Sequence, residues 1–204
     1  MGLPEMIDST SLPRAFYARP SLEVARDLLG RHLVHESNGE RLVGRIVETE
    51  AYGGAEDSAS HASRGLTRRT SPMFGPAGHA YIYLIYGIHD MLNLVTESPG
   101  KAGAVLLRAI APVAGEASMV RHRGGRRRDL ANGPGKLTQA MGVTLAEFNR
   151  HDLCQGDRLW LAPGEPVDDH LVTAGPRVGI PYAEPRDREA PWRLRCPAAV
   201  RGAS

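Results

Sequence analysis

The sequence predicts an α+β fold arranged around an antiparallel sheet, on three observations. Two hairpin patterns fall in the first half of the chain, one turning at Asn38-Gly39 and one near Gly87. Short helical segments are scattered among the strands and do not alternate with them regularly. The length of 204 residues, with 42% hydrophobic and 24% charged side chains, suits one domain with its own core and not a disordered chain.

In chain order, residues 1–19 carry no apolar periodicity and read as a loose N-terminal arm ahead of a single domain spanning 20–204. Ser21 is placed to cap a helix running to about Leu29, with Val24, Leu28 and Leu29 as its apolar stripe and Gly30 as its stop. Residues 31–36 and 41–51 read as strands paired around the Asn38-Gly39 turn. Residues 53–78 are rich in Gly, Ser, Thr and Pro. So long a loop in a compact domain is functional or disordered, and His61 within it favours function. Residues 79–86 and 89–97 form the second hairpin, where alternation sets Tyr81 and Tyr83 on one face and leaves Tyr86 at the turn. Residues 103–110 are a buried strand interrupted by Arg108. A short helix is expected near Ala114, a mobile loop over Arg123 to Asp129, a helix over Leu137 to Met141 ended by Gly142, and further strands at 157–162 and 173–180.

No stretch approaches the ~20 apolar residues of a membrane span. The N-terminus lacks a charged-then-apolar signal pattern, and Met6 stands where a myristoylation site wants Ser or Thr. The expectation is a cytoplasmic protein, nucleoid-associated if bacterial, with no membrane partner. Cys154 and Cys196 are the only cysteines, are expected to be free thiols, and form no Cys-x-x-Cys metal pair. Net charge is only +2, but its carriers are nearly all Arg, with Lys at 101 and 136 alone. Arg64, Arg68 and Arg69 flank the long loop, and Arg121 to Arg128 forms a run. The guanidinium fork suits phosphate oxygens, although genomic bias toward Arg yields the same composition.

The chemistry is concentrated between residues 48 and 93. Glu50 ends an apolar strand beside Tyr52, where it is either a solvated strand end or an acid able to take a proton from water. A carboxylate near a sugar can also stabilise the oxocarbenium-like state through which glycosidic bonds break. Glu48 shares its strand face, so a metal pair with Glu56, Asp57 and His61 is an alternative, though the spacing matches no metal signature. Arg108 inside an apolar strand needs an anionic partner, and pairing with Glu50 would satisfy both and fix a water between them. His61 is either a backbone-bonded loop histidine or a ring for stacking on a substrate. Tyr81 reads as a core aromatic. Tyr86 does not, because a hairpin tip is a poor place to bury a ring; it suits a wedge between base pairs. Asn93 is either a satisfied buried amide or a reader of a base edge. Gly133-Pro-Gly-Lys136 lacks the complete phosphate-loop pattern because Leu137 follows the lysine, but a helix starting there can still grip a DNA phosphate.

Taken together, these residues resemble the alkyladenine (3-methyladenine) DNA glycosylase family. The likeness runs from about Ala25 to Arg195. It includes Ala25-Arg-Asp-Leu-Leu-Gly30, Val47-Glu-Thr-Glu-Ala-Tyr52, Glu56-Asp57 with His61, Met73-Phe74 and Tyr81-Ile-Tyr-Leu-Ile-Tyr-Gly87. It continues through Asn93, Leu106-Leu-Arg-Ala109, Gly133-Pro-Gly-Lys-Leu137, Arg177-Val-Gly-Ile180 and Pro191-Trp-Arg193. The resemblance implies a compact domain that flips a damaged purine out of duplex DNA. The expected architecture is a mainly antiparallel curved sheet with a protruding β-hairpin and surrounding short helices. Glu50 would be the general base for the attacking water. Arg108 and a backbone carbonyl from Arg177 to Ile180 would help hold that water. Tyr52 would stack on one face of the base, and His61 and Tyr83 on the other. Ala59 would also line the pocket, and Asn93 would sit at its floor and discourage normal guanine by clashing with its exocyclic amine. Tyr86 would fill the gap in the stack, with Ile88 and His89 beside it. Thr67, Arg69 and Lys136 would meet phosphates. Thr70, His89 and Leu194 depart from the usual family pattern, which bears on lesion range and DNA grip.

The resemblance also implies a monomer that needs neither metal nor cofactor and whose partner is double-stranded DNA containing damaged purines. The competing readings are a non-catalytic module that recognises damaged DNA and a metal-dependent hydrolase built on Glu48, Glu50 and His61. A zinc deaminase lacks its His-x-Glu and Pro-Cys-x-x-Cys elements here.

Overall fold

The structure is a computed structural model that describes residues 10–37, 39–98 and 100–198. Its centre is strand β2 (Glu40–Tyr52), which follows β1 (His32–Ser37) and pairs with it. β3 (Ala80–Ile85), β4 (His89–Val95) and β5 (Ala104–Ala114) follow, then the shorter β6 (Leu159–Ala162), β7 (Thr173–Gly175) and β8 (Arg193–Arg195). They form one sheet in the order β3-β4-β5-β2-β1-β6, with β8 joining β2 to β7. Every strand pairing is antiparallel.

Strand β2 is long enough to use two partners on one edge. Its first half pairs with β1, and Glu48 to Glu50 pair with β8, while β5 runs along the other edge. Register shifts against β5 between Ile46 and Thr49 mark a bulge, which bends the strand and re-aims the side chains that follow it. Glu50 therefore sits mid-sheet, opposite Leu106 on one side and Arg193 on the other. The β3–β4 hairpin meets β5 only over Asn93 to Val95. Its outer half extends past the sheet, where Leu84, Tyr86 and Ile88 are exposed.

Among the described residues, six short helices cover the sheet: α1 (Arg14–Tyr17), α2 (Ser21–Leu28), α3 (Glu116–His122), α4 (Pro134–Met141), α5 (Leu145–Phe148) and α6 (Pro185–Glu189). Val24, Leu28, Ile46, Leu92, Leu107, Leu137 and Phe148 belong to one continuous apolar core between these helices and the sheet. Gly142 ends α4 with a φ of 69°, the left-handed stop its sequence predicts.

Several expectations are corrected. Residues 10–19 are not a loose arm. Leu12 and Tyr17 are buried in the core, and Arg14 pairs with Asp152 at 2.6 Å. A four-residue helix is too short to leave a 3.6-residue pattern. The remainder of that expectation, residues 1–9, lies outside the described residues. Ser21 opens α2 but does not cap it. The Glu97 carboxylate accepts the Ser21 N–H at 2.9 Å instead, and the Ser21 hydroxyl turns to Thr96. The strand expected over 173–180 stops at Gly175, because the Arg177 side chain is drawn inward to a buried carboxylate. At the head of the 123–129 loop, Arg123 is buried and bonds Gln139 of α4. Both cysteines are free.

Candidate active site

The 53–79 loop, the hairpin and the segment after β7 enclose a cavity of about 330 Å³, within the range of small-molecule sites. One wall is Tyr52 at the end of β2. Behind it lies Arg177, whose guanidinium is 4.9 Å from the Tyr52 ring centre and equally far from the Trp192 ring centre. That guanidinium is fully buried and grips Asp57 with both nitrogens, at 2.6 and 2.9 Å. Asp57 also accepts the N–H groups of Gly53 and Ala59, so this pair fixes the start of the long loop.

The opposing wall is aromatic. His61 lies in a 3-10 turn (His61–Arg64) capped by the Ser60 side chain. Its ring centre is 4.6 Å from that of Tyr83, and its Nδ1 meets the Tyr81 hydroxyl at 3.0 Å. The Arg69 guanidinium lies 5.2 Å over the Tyr83 ring. Burial and the charges of Arg69 and Arg64 lower the His61 pKa to about 4, so the imidazole is neutral at pH 7. Burial also raises the Tyr83 and Tyr52 hydroxyls, which stay protonated. Asn93 is buried at the base of the hairpin. It donates its amide protons to the carbonyls of Tyr81 and Met91, at 3.1 Å each, which leaves its oxygen as the group not spent on the backbone.

Glu50 is completely buried and is not part of the cavity surface. It lies one layer behind Tyr52, Arg108 and Val178, which are; Tyr52 and Val178 donate hydrogen bonds to it and Arg108 forms an ion pair with it. Val178 N–H reaches Oε1 at 2.7 Å and Arg108 Nη1 lies 3.3 Å from the same oxygen. The Tyr52 hydroxyl reaches Oε2 at 2.8 Å. Desolvation raises the Glu50 pKa, opposed first by Arg108, then by the Val178 N–H and the Tyr52 hydroxyl. Two carboxylate oxygens offer about four acceptor sites. Two hydrogen bonds and the ion pair leave acceptor capacity on the carboxylate for a further donor. Arg108 also holds Glu48 through Nε at 3.0 Å, so one guanidinium joins the two acids expected to share a strand face.

The expected site residues are thus largely brought together. Tyr52, Ala59, His61, Arg69, Tyr83, Tyr86, His89, Asn93 and Arg108 all line the cavity. Tyr86 is 90% exposed at the hairpin tip with a φ of 54°, next to Gly87 at 70°. Neither packing nor turn preference explains a large ring held there, so an outside contact is its natural use. Ile88 is exposed beside it. Thr67 and Lys136 stand away from the cavity. The Thr67 hydroxyl is engaged by Thr70, and the Lys136 ammonium lies 3.8 Å from Asp129. Among the described residues, no group of three or more His, Cys, Asp or Glu side chains is placed to hold a metal. Arg177 and Asp57 were not anticipated in these roles. The Arg177 to Ile180 segment, expected to help hold a water through a backbone carbonyl, sends the Val178 N–H to Glu50.

Comparison with known proteins bears on the same chemistry. The methylpurine-DNA glycosylase (MPG) family model matches residues 15–199. A relative in Myxococcus xanthus is 53% identical over 183 residues, covering 90% of this chain and 88% of that protein. Relatives in Methanocella arvoryzae and Nitrosococcus oceani are each 50% identical, covering 90% and 91% of this chain and 90% of each relative. All three are named as 3-methyladenine DNA glycosylases. Matches of this extent define the class of protein: a DNA glycosylase. The chain belongs to the methylpurine-DNA glycosylase family.

Proposed function

We propose that this enzyme excises alkylated or deaminated purines from duplex DNA, namely 3-methyladenine, 7-methylguanine, hypoxanthine and ethenoadenine. It hydrolyses the N-glycosidic bond with a water activated by Glu50 and leaves an abasic site. The observation that carries this reading is the buried Glu50, charge-paired with Arg108, directly behind a cavity with two aromatic walls. A carboxylate removed from water is costly and is retained where it has work to do. Tyr52 on one side and His61 with Tyr83 on the other suit the two faces of a flat base, and Tyr86 beside the mouth suits the gap that flipping leaves in the stack. Asn93 at the floor would discourage unmodified guanine by crowding its exocyclic amine, a penalty that the better leaving group of 7-methylguanine offsets. Thr67, Arg69 and Lys136 would contact phosphates. Water is favoured over an amine as nucleophile because neither of the chain's two lysines lines the cavity.

The test is single-turnover base release from duplexes that each carry one of the four lesions, in EDTA, with Glu50→Gln alongside. Release by the wild type and a loss of at least about 100-fold in the variant are expected. Tight binding to lesions with no release by either protein would replace this reading with a damage-recognition module.

A further inference from the structure

The cavity has a wall residue that the reaction as described does not use. Tyr182 lines the cavity, and its hydroxyl donates to the backbone carbonyl of Ala59, another lining residue, at 3.0 Å. The chain on either side is anchored: Ile180 and Ala183 are buried, and Glu184 N–H bonds the Ser58 hydroxyl. Tyr182 as a whole is 61% exposed, and the hydroxyl is the anchored end of its side chain. Ala59 is almost fully buried, so its carbonyl is an acceptor that is costly to leave unpaired.

We infer that Tyr182 is an exchangeable cap on the Ala59 carbonyl and sets which lesions the cavity accepts. A base that presents an N–H to this wall displaces the hydroxyl and takes its place, while a base without one leaves the cap on and the carbonyl satisfied. Exposed side chains change rotamer on the picosecond-to-nanosecond scale, so the exchange adds no slow step. Burial raises the Tyr182 pKa, which keeps the hydroxyl a donor throughout the neutral range. Tyr182 is therefore a specificity residue that widens the range of the cavity, and this role rests on the purine-excising reading above.

The test compares Tyr182→Phe with wild type on hypoxanthine, which carries an N1–H, and on ethenoadenine, whose etheno bridge leaves no N–H on that edge. Loss of the hydroxyl removes a competitor for the first lesion and strands the carbonyl against the second. Release and binding of hypoxanthine should rise, and those of ethenoadenine fall, each by about fivefold, the worth of one neutral hydrogen bond. The ratio between them then moves by roughly 25-fold. Equal changes for both lesions, or none, would overturn the inference, since a packing or DNA-gripping role moves both together. Binding carries the same opposite-sign signature even without base release. Loss of wild-type release would therefore count against the excision reading alone.

Discussion

Replacing Arg177 with Met should cost more than any surface substitution in this chain. The Arg177 and Asp57 side chains have 0% and 1% of their surface exposed, and each guanidinium nitrogen that meets Asp57 also reaches a backbone carbonyl, Ala51 or Asp187. Removing the cation leaves an uncompensated buried carboxylate, which costs about 3–5 kcal/mol. In a domain of this size each kcal/mol moves Tm by about 2–4 °C, so the expected drop is roughly 6–20 °C. The fold need not be lost, because Asp57 still holds the N–H groups of Gly53 and Ala59. Adding Asp57→Asn removes the second charge, so Arg177→Met/Asp57→Asn should lose less than the sum of the two single variants. Thermal and urea melts of the three variants decide it. A Tm drop below about 3 °C for Arg177→Met, or strict additivity in the double variant, would refute the view that the buried pair organises this wall.

Two further outcomes follow from the charges. Because the folded-state pKa of Glu50 is raised above the ordinary carboxylate value, the unfolded chain loses this proton first as pH rises. Between the two values the folded state binds more protons, so this group's contribution to stability falls with rising pH. Glu50→Gln should accordingly be at least as stable as wild type at pH 7 while inactive, and wild-type base release should rise through an acid limb above the usual glutamate range; a destabilised Gln variant would contradict the sign. Affinity for duplex DNA should fall steeply with salt, and Arg69→Ala and Lys136→Ala should each lower the log–log slope by about 1. Slopes measured by fluorescence anisotropy that match wild type would remove those residues from the phosphate contacts.

What the sequence revealed and what it hid divide along physical lines. The two hairpins were legible because turn chemistry is local: Asn38-Gly39 and Gly87 announce turns between runs of strand-forming residues. The helices α1, α5 and α6 have four or five residues, and β8 has three, so none spans a period long enough to read. Glu50 and Arg108 were legible as partners because a charge in an apolar strand demands a counter-charge. Arg177 was not, since its partner Asp57 lies 120 residues away and both sit in irregular segments where burial leaves no pattern. The depth of Glu50, one layer behind the cavity, depends on the bulge before Thr49 and on β8, which are properties of the assembled sheet.

The electrostatics of the cavity fit a cationic guest in spite of the arginines around it. Methylation at N3 or N7 makes a purine both positively charged and a good leaving group. A guanidinium facing such a base would repel it, but Arg108 is neutralised by Glu48 and Glu50, and Arg177 by Asp57. Arg69 keeps its charge over the Tyr83 ring, where it suits the phosphate contact proposed for it. His61 would add a further positive charge at its ordinary pKa in mildly acidic conditions. Lowered to about 4, it adds none. What remains facing the guest is neutral π surface from Tyr52, His61 and Tyr83, and a cation on such faces gains about 0.5–2 kcal/mol over a neutral base. That margin is too small to select damaged purines by binding alone, so most of the discrimination must come from the bond that breaks. Under the proposed reading, the charged base leaves readily, and an undamaged purine in the same cavity would not.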